Sequence, residues 1–205
     1  DKDCSILCDI PEFDIINNLH VEWMHCVALG VCRQFIKMWF DSSFYEKHFY
    51  LGNQIYYVNK LLCSYKPSLK VSRTPRKISD YKHWKAHKFV IFLLFYSIPI
   101  FKEMFPRKLL HHWSLLVDAI SILLKTFILC SEILYVEKYI VEFVKNVEVL
   151  YGKEFMSFNV HLLLHLSRSV LIWGPLWAHS SFCYEDFNQE LKNYVKSSHG
   201  VARQI

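Results

Sequence analysis

The chain has 205 residues, of which 53% are hydrophobic and 21% are charged, a composition that excludes disordered and low-complexity proteins and suffices for one core. Only 5 Gly and 6 Pro argue against a turn-rich all-β sandwich. The formal net charge of +5 permits an acidic partner without requiring one.

The cysteines and the apolar runs indicate an intracellular protein outside the membrane. The 7 Cys are odd in number, and no two of them have CxxC spacing, which disfavours a secreted disulfide framework. The charged start Asp1-Lys2-Asp3 predicts that no signal peptide opens the chain. The apolar run at residues 89–101 is shorter than the roughly 20 residues of a membrane span and is broken by Pro99. A helical membrane protein is therefore disfavoured.

The hydrophobic periodicity predicts a mainly α-helical fold. Residues 1–20 read as irregular, and 41–64 give no clear prediction. Pro99 is expected to end one helix, Ser131 to cap another at its start, and Gly152 to end that one. The predicted helices cover about 21–40, 81–98, 107–130, 132–150, 159–170 and 180–195.

The most basic part of the chain lies at residues 65–88, where eight Lys and Arg stand against Asp80 alone. Tyr65, Tyr81 and Trp84 are interleaved with these cations. That pattern suits contact with the backbone of a nucleic acid, although a solvated charged loop explains it equally well.

Two pairs of side chains have the spacing of metal ligands. His161 and His165 are four residues apart on one predicted helix, and Glu22 and His25 are three apart on another, so each pair shares a helix face. Together they could build a closed tetrahedral zinc site. Spacing alone favours the alternative, in which these histidines hydrogen-bond to backbone at the edge of the core.

An acidic group opens the last predicted helix. Glu185 shares a polar face with Asn188, Gln189 and Lys192. A carboxylate on a rigid helix can hold a divalent cation of the kind that phosphoryl transfer requires. Acids near a helix start also interact favourably with the helix dipole and need no catalytic role.

Four blocks of sequence, in chain order, carry a family resemblance. They are FDII at residues 13–16 with VEWMHCVALGV at 21–31, RTPR at 73–76 with WKA at 84–86, FNVHLLLHL at 158–166, and GPLWAHSSF at 174–182 followed by YED at 184–186. Together they extend over nearly the whole chain. They resemble the corresponding blocks of CACTA-like (EnSpm/CMC-type) transposases.

The resemblance implies an RNase H-like transposase core with a large helical insertion. The chain would hold the insertion and the final catalytic helix, with the β-strands of the core largely absent from it. In that family two aspartates and one glutamate bind two divalent cations, Mg²⁺ or Mn²⁺, for strand cleavage and transfer, and Glu185 takes the place of the glutamate. The two aspartates lie upstream of the VEWMHC block in the family, so the chain is expected to be inactive alone.

The resemblance also implies a structural metal and a DNA partner. A related layout in the V(D)J recombinase joins a histidine pair to two upstream ligands through zinc, which favours Zn²⁺ bound by Glu22, His25, His161 and His165. Glu22 stands where the family usually has Asp or Cys. The candidate residues for contact with the DNA backbone are Lys70, Arg73, Arg76, Lys77 and Lys85.

These expectations describe one partial domain over residues 1–205, a fragment or remnant of a nuclear DNA transposase. A domesticated, non-catalytic DNA- or protein-binding module is the alternative, and a homo-oligomer is left open. Within the domain the resemblance distinguishes an entry segment with the first zinc pair at 1–40, an aromatic and basic segment at 41–88, the helical insertion at 89–158, and the second zinc pair with the glutamate helix at 159–205.

Overall fold

The computed structural model describes residues 9–12, 14, 20–65 and 75–194. This part of the chain is predominantly helical and contains no β-strand, which confirms the mainly α prediction. None of its helices is both long and apolar enough to cross a membrane. In chain order the helices are α1 (Met24–Cys32 continued by Arg33–Phe40), α2 (Ile55–Ser64), α3 (Ala86–Ile91, Phe92–Tyr96 and Ser97–Phe101), α4 (Arg107–Leu123), α5 (Cys130–Tyr151), α6 (Phe158–Leu162, Leu163–His165 and Leu166–Trp173) and α7 (Phe182–Tyr194).

Helix α1 is nearly surrounded by protein, as its low charge predicted. Its first part, Met24–Cys32, is a π-helix that continues as an α-helix to Phe40. A Cβ at Gly30 would lie 2.6 Å from Cγ of Asn159, so only glycine lets α6 approach α1 this closely. The Cys26 thiol also donates to the Asn159 carbonyl at 3.4 Å. The contact places α6 beside the start of α1.

Helix α3 continues through Pro99 to Phe101, so the predicted end of the helix before this proline is wrong. The preceding turns, Phe92–Tyr96, are π-helical. Proline lacks an N–H and its ring crowds the carbonyl four residues earlier. The wider π-turn immediately before Pro99 relieves that crowding.

Helices α4 and α5 form an antiparallel hairpin with the most extensive helix–helix contact in the described fold. Helix α4 ends at Leu123, earlier than predicted. The Glu132 carboxylate accepts the Leu129 N–H at 3.0 Å, so Leu129 rather than the predicted Ser131 occupies the N-cap position of α5. Gly152, with φ of 112°, ends α5 as predicted.

Aromatic rings fill the centre of the core between α1, α4 and α5. The Phe35 ring centroid lies 5.5 Å from those of Trp39 and Trp113, and 5.6 Å from that of Phe143. The indole N–H of Trp113 donates to the Ser97 hydroxyl at 2.8 Å, which satisfies a polar group that would otherwise be buried without a partner. The many aromatic residues of the chain therefore pack together in one continuous core.

Helices α6 and α7 follow the predicted positions closely. A 3₁₀ turn, Leu163–His165, interrupts α6, and the helix ends at Gly174, whose φ is 84°. A short 3₁₀ turn, Leu176–His179, then leads to α7. The start of α7 comes to lie against the start of α1.

Candidate functional site

The Glu22 carboxylate connects the two ends of the described chain. Its Oε1 accepts the backbone N–H of Ser181 at 3.0 Å and that of Met24 at 3.2 Å, and its Oε2 accepts that of His25 at 2.8 Å. Burial raises the pKa of Glu22, but the hydrogen bonds from Ser181, His25 and Met24 outweigh it and the pKa lies below its ordinary value. Glu22 is therefore ionised, and its hydrogen bonds connect the start of α1 to Ser181, the residue before α7.

The His25 imidazole lies between two carboxylates. Its Nδ1 is 2.6 Å from Oε2 of Glu22, and its Nε2 is 3.4 Å from Oε1 of Glu185. Because a carboxylate can only accept, Nδ1 carries the proton of the short contact. Nε2 is then the atom presented to Glu185. A histidine whose one nitrogen is held by a carboxylate and whose other nitrogen faces outward has the arrangement of a metal-ligating histidine.

Glu185 lies in the first turn of α7, and its side chain is half-exposed. No other ion pair involves Glu185 in the described residues. The 3.4 Å contact with His25 is long and the side chain is half-exposed, so the carboxylate can turn toward a ligand in solvent. The structure thus brings together three of the predicted residues, Glu22, His25 and Glu185, from opposite ends of the sequence.

A cleft of about 490 Å³ opens beside these residues, between the start of α1 and helix α6. We call it the His25 cleft; its ionisable lining includes His20, Glu22, His25, His165 and Arg168. Burial, together with the charge of Glu22, raises the pKa of Cys26, which also lines the cleft, to about 12. The Cys26 thiol is therefore neutral and donates its hydrogen bond to the Asn159 carbonyl.

The second predicted metal pair lies on α6. The ring centroids of His161 and His165 are 5.3 Å apart, and both side chains are exposed. His165 lines the His25 cleft, and His161 precedes it by one turn. In the described residues no group of three or more His, Cys, Asp or Glu side chains is positioned to hold a metal ion. The two members of each pair therefore lie close together, but in the described residues the two pairs do not converge on one metal position.

The hydrogen bonds of Glu22, His25 and Glu185 indicate which of these side chains could bind a metal ion directly. Both oxygens of Glu22 are occupied by hydrogen bonds, whereas Nε2 of His25 and the carboxylate of Glu185 face solvent. These contacts fit Glu22 as the group that orients His25 better than as a direct ligand. His25 and His165, which share a cleft, are the two that fit best as ligands.

The predicted DNA contacts lie elsewhere on the molecule. Arg76, Lys77 and Lys85 are exposed, and Lys70 and Arg73 lie outside the described residues. The aromatic side chains of this segment pack inward: Trp84 contacts Phe89 and Phe92, and Tyr81 is buried. Tyr81 and Trp84 are therefore part of the core and cannot stack on bases, so Arg76, Lys77 and Lys85 are the exposed candidates in this segment.

Sequence reasoning did not predict the role of Ser181. Its backbone N–H, not its side chain, binds Glu22, and a backbone donor leaves no signature in residue type. Gly30 was likewise not singled out, although an isolated glycine inside a helical pattern often has a packing reason.

Comparison with known proteins gives one partial match. Residues 123–204 match the family model described as "Domain of unknown function (DUF4218)", a family found in transposase-like proteins of plants. The matched segment contains α5, α6 and α7, and with them His161, His165 and Glu185, whereas Glu22 and His25 precede it. No curated protein and no solved structure matches the chain.

Proposed function

We propose that the chain is the helical part of a DNA transposase, or of a protein derived from one, and that Glu185 supplies a carboxylate for a divalent cation. The observation that carries the proposal is the placement of Glu185 at the exposed start of α7, with its carboxylate 3.4 Å from the orienting His25. The resemblance of four sequence blocks to CACTA-like transposases supports it, and so does the match of α5–α7 to a family found in transposase-like proteins.

In this proposal the residues of the chain bind and orient. Glu22 holds Ser181 and thereby fixes the start of α7 against α1. His25 Nε2 lies beside the Glu185 carboxylate and forms an ion pair with it only when the imidazole is protonated on both nitrogens. Divalent cations such as Mg²⁺ or Mn²⁺ would stabilise the attacking and leaving oxygens at a DNA phosphodiester. Two further carboxylates, which the resemblance places upstream of the VEWMHC block, would complete the set.

The test replaces Glu185 in a full-length protein that includes the upstream segment. Glu185→Gln removes the charge while keeping the size, so we expect loss of DNA cleavage with DNA binding retained. Glu190→Gln is the matched control, because Glu190 is an exposed glutamate on the same helix. Wild-type cleavage by the Glu185 variant would refute the assignment.

We further propose a structural zinc that ties α1 to α6 through His25, His161 and His165, with Glu22 orienting His25. Metal binding of this kind contributes directly to folding. Elemental analysis of the purified chain should find about one zinc per molecule, and removal of zinc by a chelator should lower the melting temperature.

The double variant His161→Ala/His165→Ala should lose most of this zinc. The double variant His48→Ala/His83→Ala is its control, since both of these histidines are exposed and lie outside the His25 cleft. Equal zinc content in wild type and in both double variants would exclude the site.

A second candidate function is a non-catalytic DNA-binding module. It is favoured by the exposed cations Arg76, Lys77 and Lys85, which need no upstream strands to contact phosphate. Under this function the isolated chain binds duplex DNA with a strong dependence on salt, and Glu185→Gln changes nothing in the full-length protein.

A further inference from the structure

We propose that a second cleft, lined by Arg33, Lys37 and Lys82, binds the phosphate groups of a DNA backbone. The proposal rests on DNA as the partner of the chain and adds a site that the sequence patterns did not indicate. The cleft measures about 570 Å³ and lies between α1 and the 3₁₀ turn Ile78–His83. We call it the Arg33 cleft.

The cations of this cleft come from two elements that pack together. Arg33 and Lys37 are four residues apart on α1, so they project from one face about 6 Å apart. Lys82 comes from the facing 3₁₀ turn. All three side chains are exposed. Three positive groups thus converge on one concave surface, where phosphate oxygens would find donors from more than one side.

Asp41 is the one carboxylate among the described residues that line the cleft, and it already has hydrogen-bond and ion-pair partners. Asp41 accepts the Ser43 N–H at 3.1 Å and the Ser43 hydroxyl at 2.8 Å, and its Oδ2 lies 3.6 Å from Nζ of Lys82. These hydrogen bonds from Ser43, with smaller contributions from Lys82 and Lys37, hold the pKa of Asp41 below its ordinary value. Asp41 therefore stays charged and steadies Lys82 at the rim.

The remaining two cations have no acidic partner in the part of the chain that the structure describes. Arg33 and Lys37 form no ion pair there, so the cleft keeps a net positive charge of two. The guanidinium of Arg33 matches phosphate geometry with two parallel N–H donors. An uncompensated pair of cations in a cleft indicates a site for an external anion.

The position of the cleft favours DNA as the source of that anion. Lys82 belongs to the same short segment as Lys77 and Lys85, which are exposed. A backbone that contacts those lysines can continue along the segment into the Arg33 cleft. The Gln34 amide is not available to it, because its Nε2 donates to the Phe155 carbonyl and its Oε1 accepts from Ser157. Recognition therefore rests on charge and is independent of base sequence.

The main experiment measures binding of the whole chain to a fluorescent DNA duplex by anisotropy across a salt series. The triple variant Arg33→Gln/Lys37→Gln/Lys82→Gln should raise Kd at least about tenfold at 0.1 M salt and reduce the slope of log Kd against log salt by roughly 2 to 3. The control Lys108→Gln/Lys138→Gln/Lys145→Gln removes the same charge from exposed positions on α4 and α5 and should bind like wild type.

A variant that makes the cleft more positive gives a result that structural damage cannot mimic, because damage would weaken binding rather than tighten it. Asp41→Asn removes the one carboxylate of the cleft and should tighten DNA binding several-fold. Equal affinities for wild type, triple variant and control would overturn the cleft while leaving DNA contact by Arg76, Lys77 and Lys85 in place. Weakened or unchanged binding by Asp41→Asn, with the fold retained, also counts against the cleft.

Inorganic phosphate separates failure of the cleft from failure of the proposed function. We would titrate it while observing the side-chain NMR signals of Arg33 and of the lysines. If wild type binds no DNA yet phosphate shifts the Arg33 signal, the phosphate site is supported and DNA as its source is refuted. If neither DNA nor phosphate has an effect, the inference is overturned entirely.

Discussion

His112 lies in the core between α4 and α5 and should make the stability of the protein depend on pH. Its side chain is 1% exposed. Nε2 donates to the Phe143 carbonyl at 2.9 Å, and the ring stacks on that of Phe143 with centroids 4.2 Å apart. Burial lowers the pKa of His112 from 6.5 to about 4, against the hydrogen bond to Phe143, which raises it. The fold therefore accommodates the neutral imidazole.

The size and sign of the effect follow from that difference in pKa. The folded state binds the proton less readily than the unfolded state, so the stability contributed by neutral His112 is complete above about pH 6.5 and is lost as the pH falls toward 4. The gap between 6.5 and about 4 corresponds to about 3 kcal/mol. For a chain of this size that is roughly 6 to 12 °C in melting temperature.

The assay is urea unfolding followed by circular dichroism at several pH values from 7 to 4. His112→Gln keeps an N–H donor for Phe143 but does not titrate, so its stability should fall by about 3 kcal/mol less than that of wild type over this range. His48→Gln is the control, because His48 is exposed and is not among the groups that shift the pKa of His112, and it should behave like wild type. Parallel pH profiles for wild type and His112→Gln would show that the reasoning is wrong.

Three further substitutions test the packing. Gly30→Val forces a side chain into Asn159 and should destabilise the fold by about 1–3 kcal/mol; an unchanged urea midpoint would contradict the close helix approach. Ser97→Ala leaves the Trp113 N–H without its buried partner and should cost about 1–3 kcal/mol, with a change in tryptophan fluorescence. Gly152→Ala imposes a side chain on a φ of 112° and should cost about 1–3 kcal/mol by thermal unfolding; no loss would mean that the turn adjusts freely.

Much of the fold could be predicted because helix periodicity is a local signal. The extent of α5 and its end at Gly152 follow from apolar spacing and one glycine. The course of α3 through Pro99 did not follow, because the π-turn that accommodates the proline is a tertiary adjustment with no residue signature. The early end of α4 was missed for a similar reason: the residues after Leu123 are as apolar as the helix itself.

The candidate site was predictable only within one helical turn. Spacing places Glu22 beside His25 and His161 beside His165, and the structure has both pairs. Spacing carries no information about which helices meet, so only the fold shows the contact of His25 with Glu185. The Arg33 cleft was missed because its cations are dispersed in sequence and only Lys82 lies in the basic segment.

The Glu22–Ser181 hydrogen bond joins residues that are 159 positions apart in the chain. Closing a loop of this length costs conformational entropy, which this contact must offset. Beyond Phe182, every side chain described in α7 is exposed, so those side chains add little packing against the rest of the fold. Amide hydrogens of α7 should therefore exchange with solvent before those of α4 and α5.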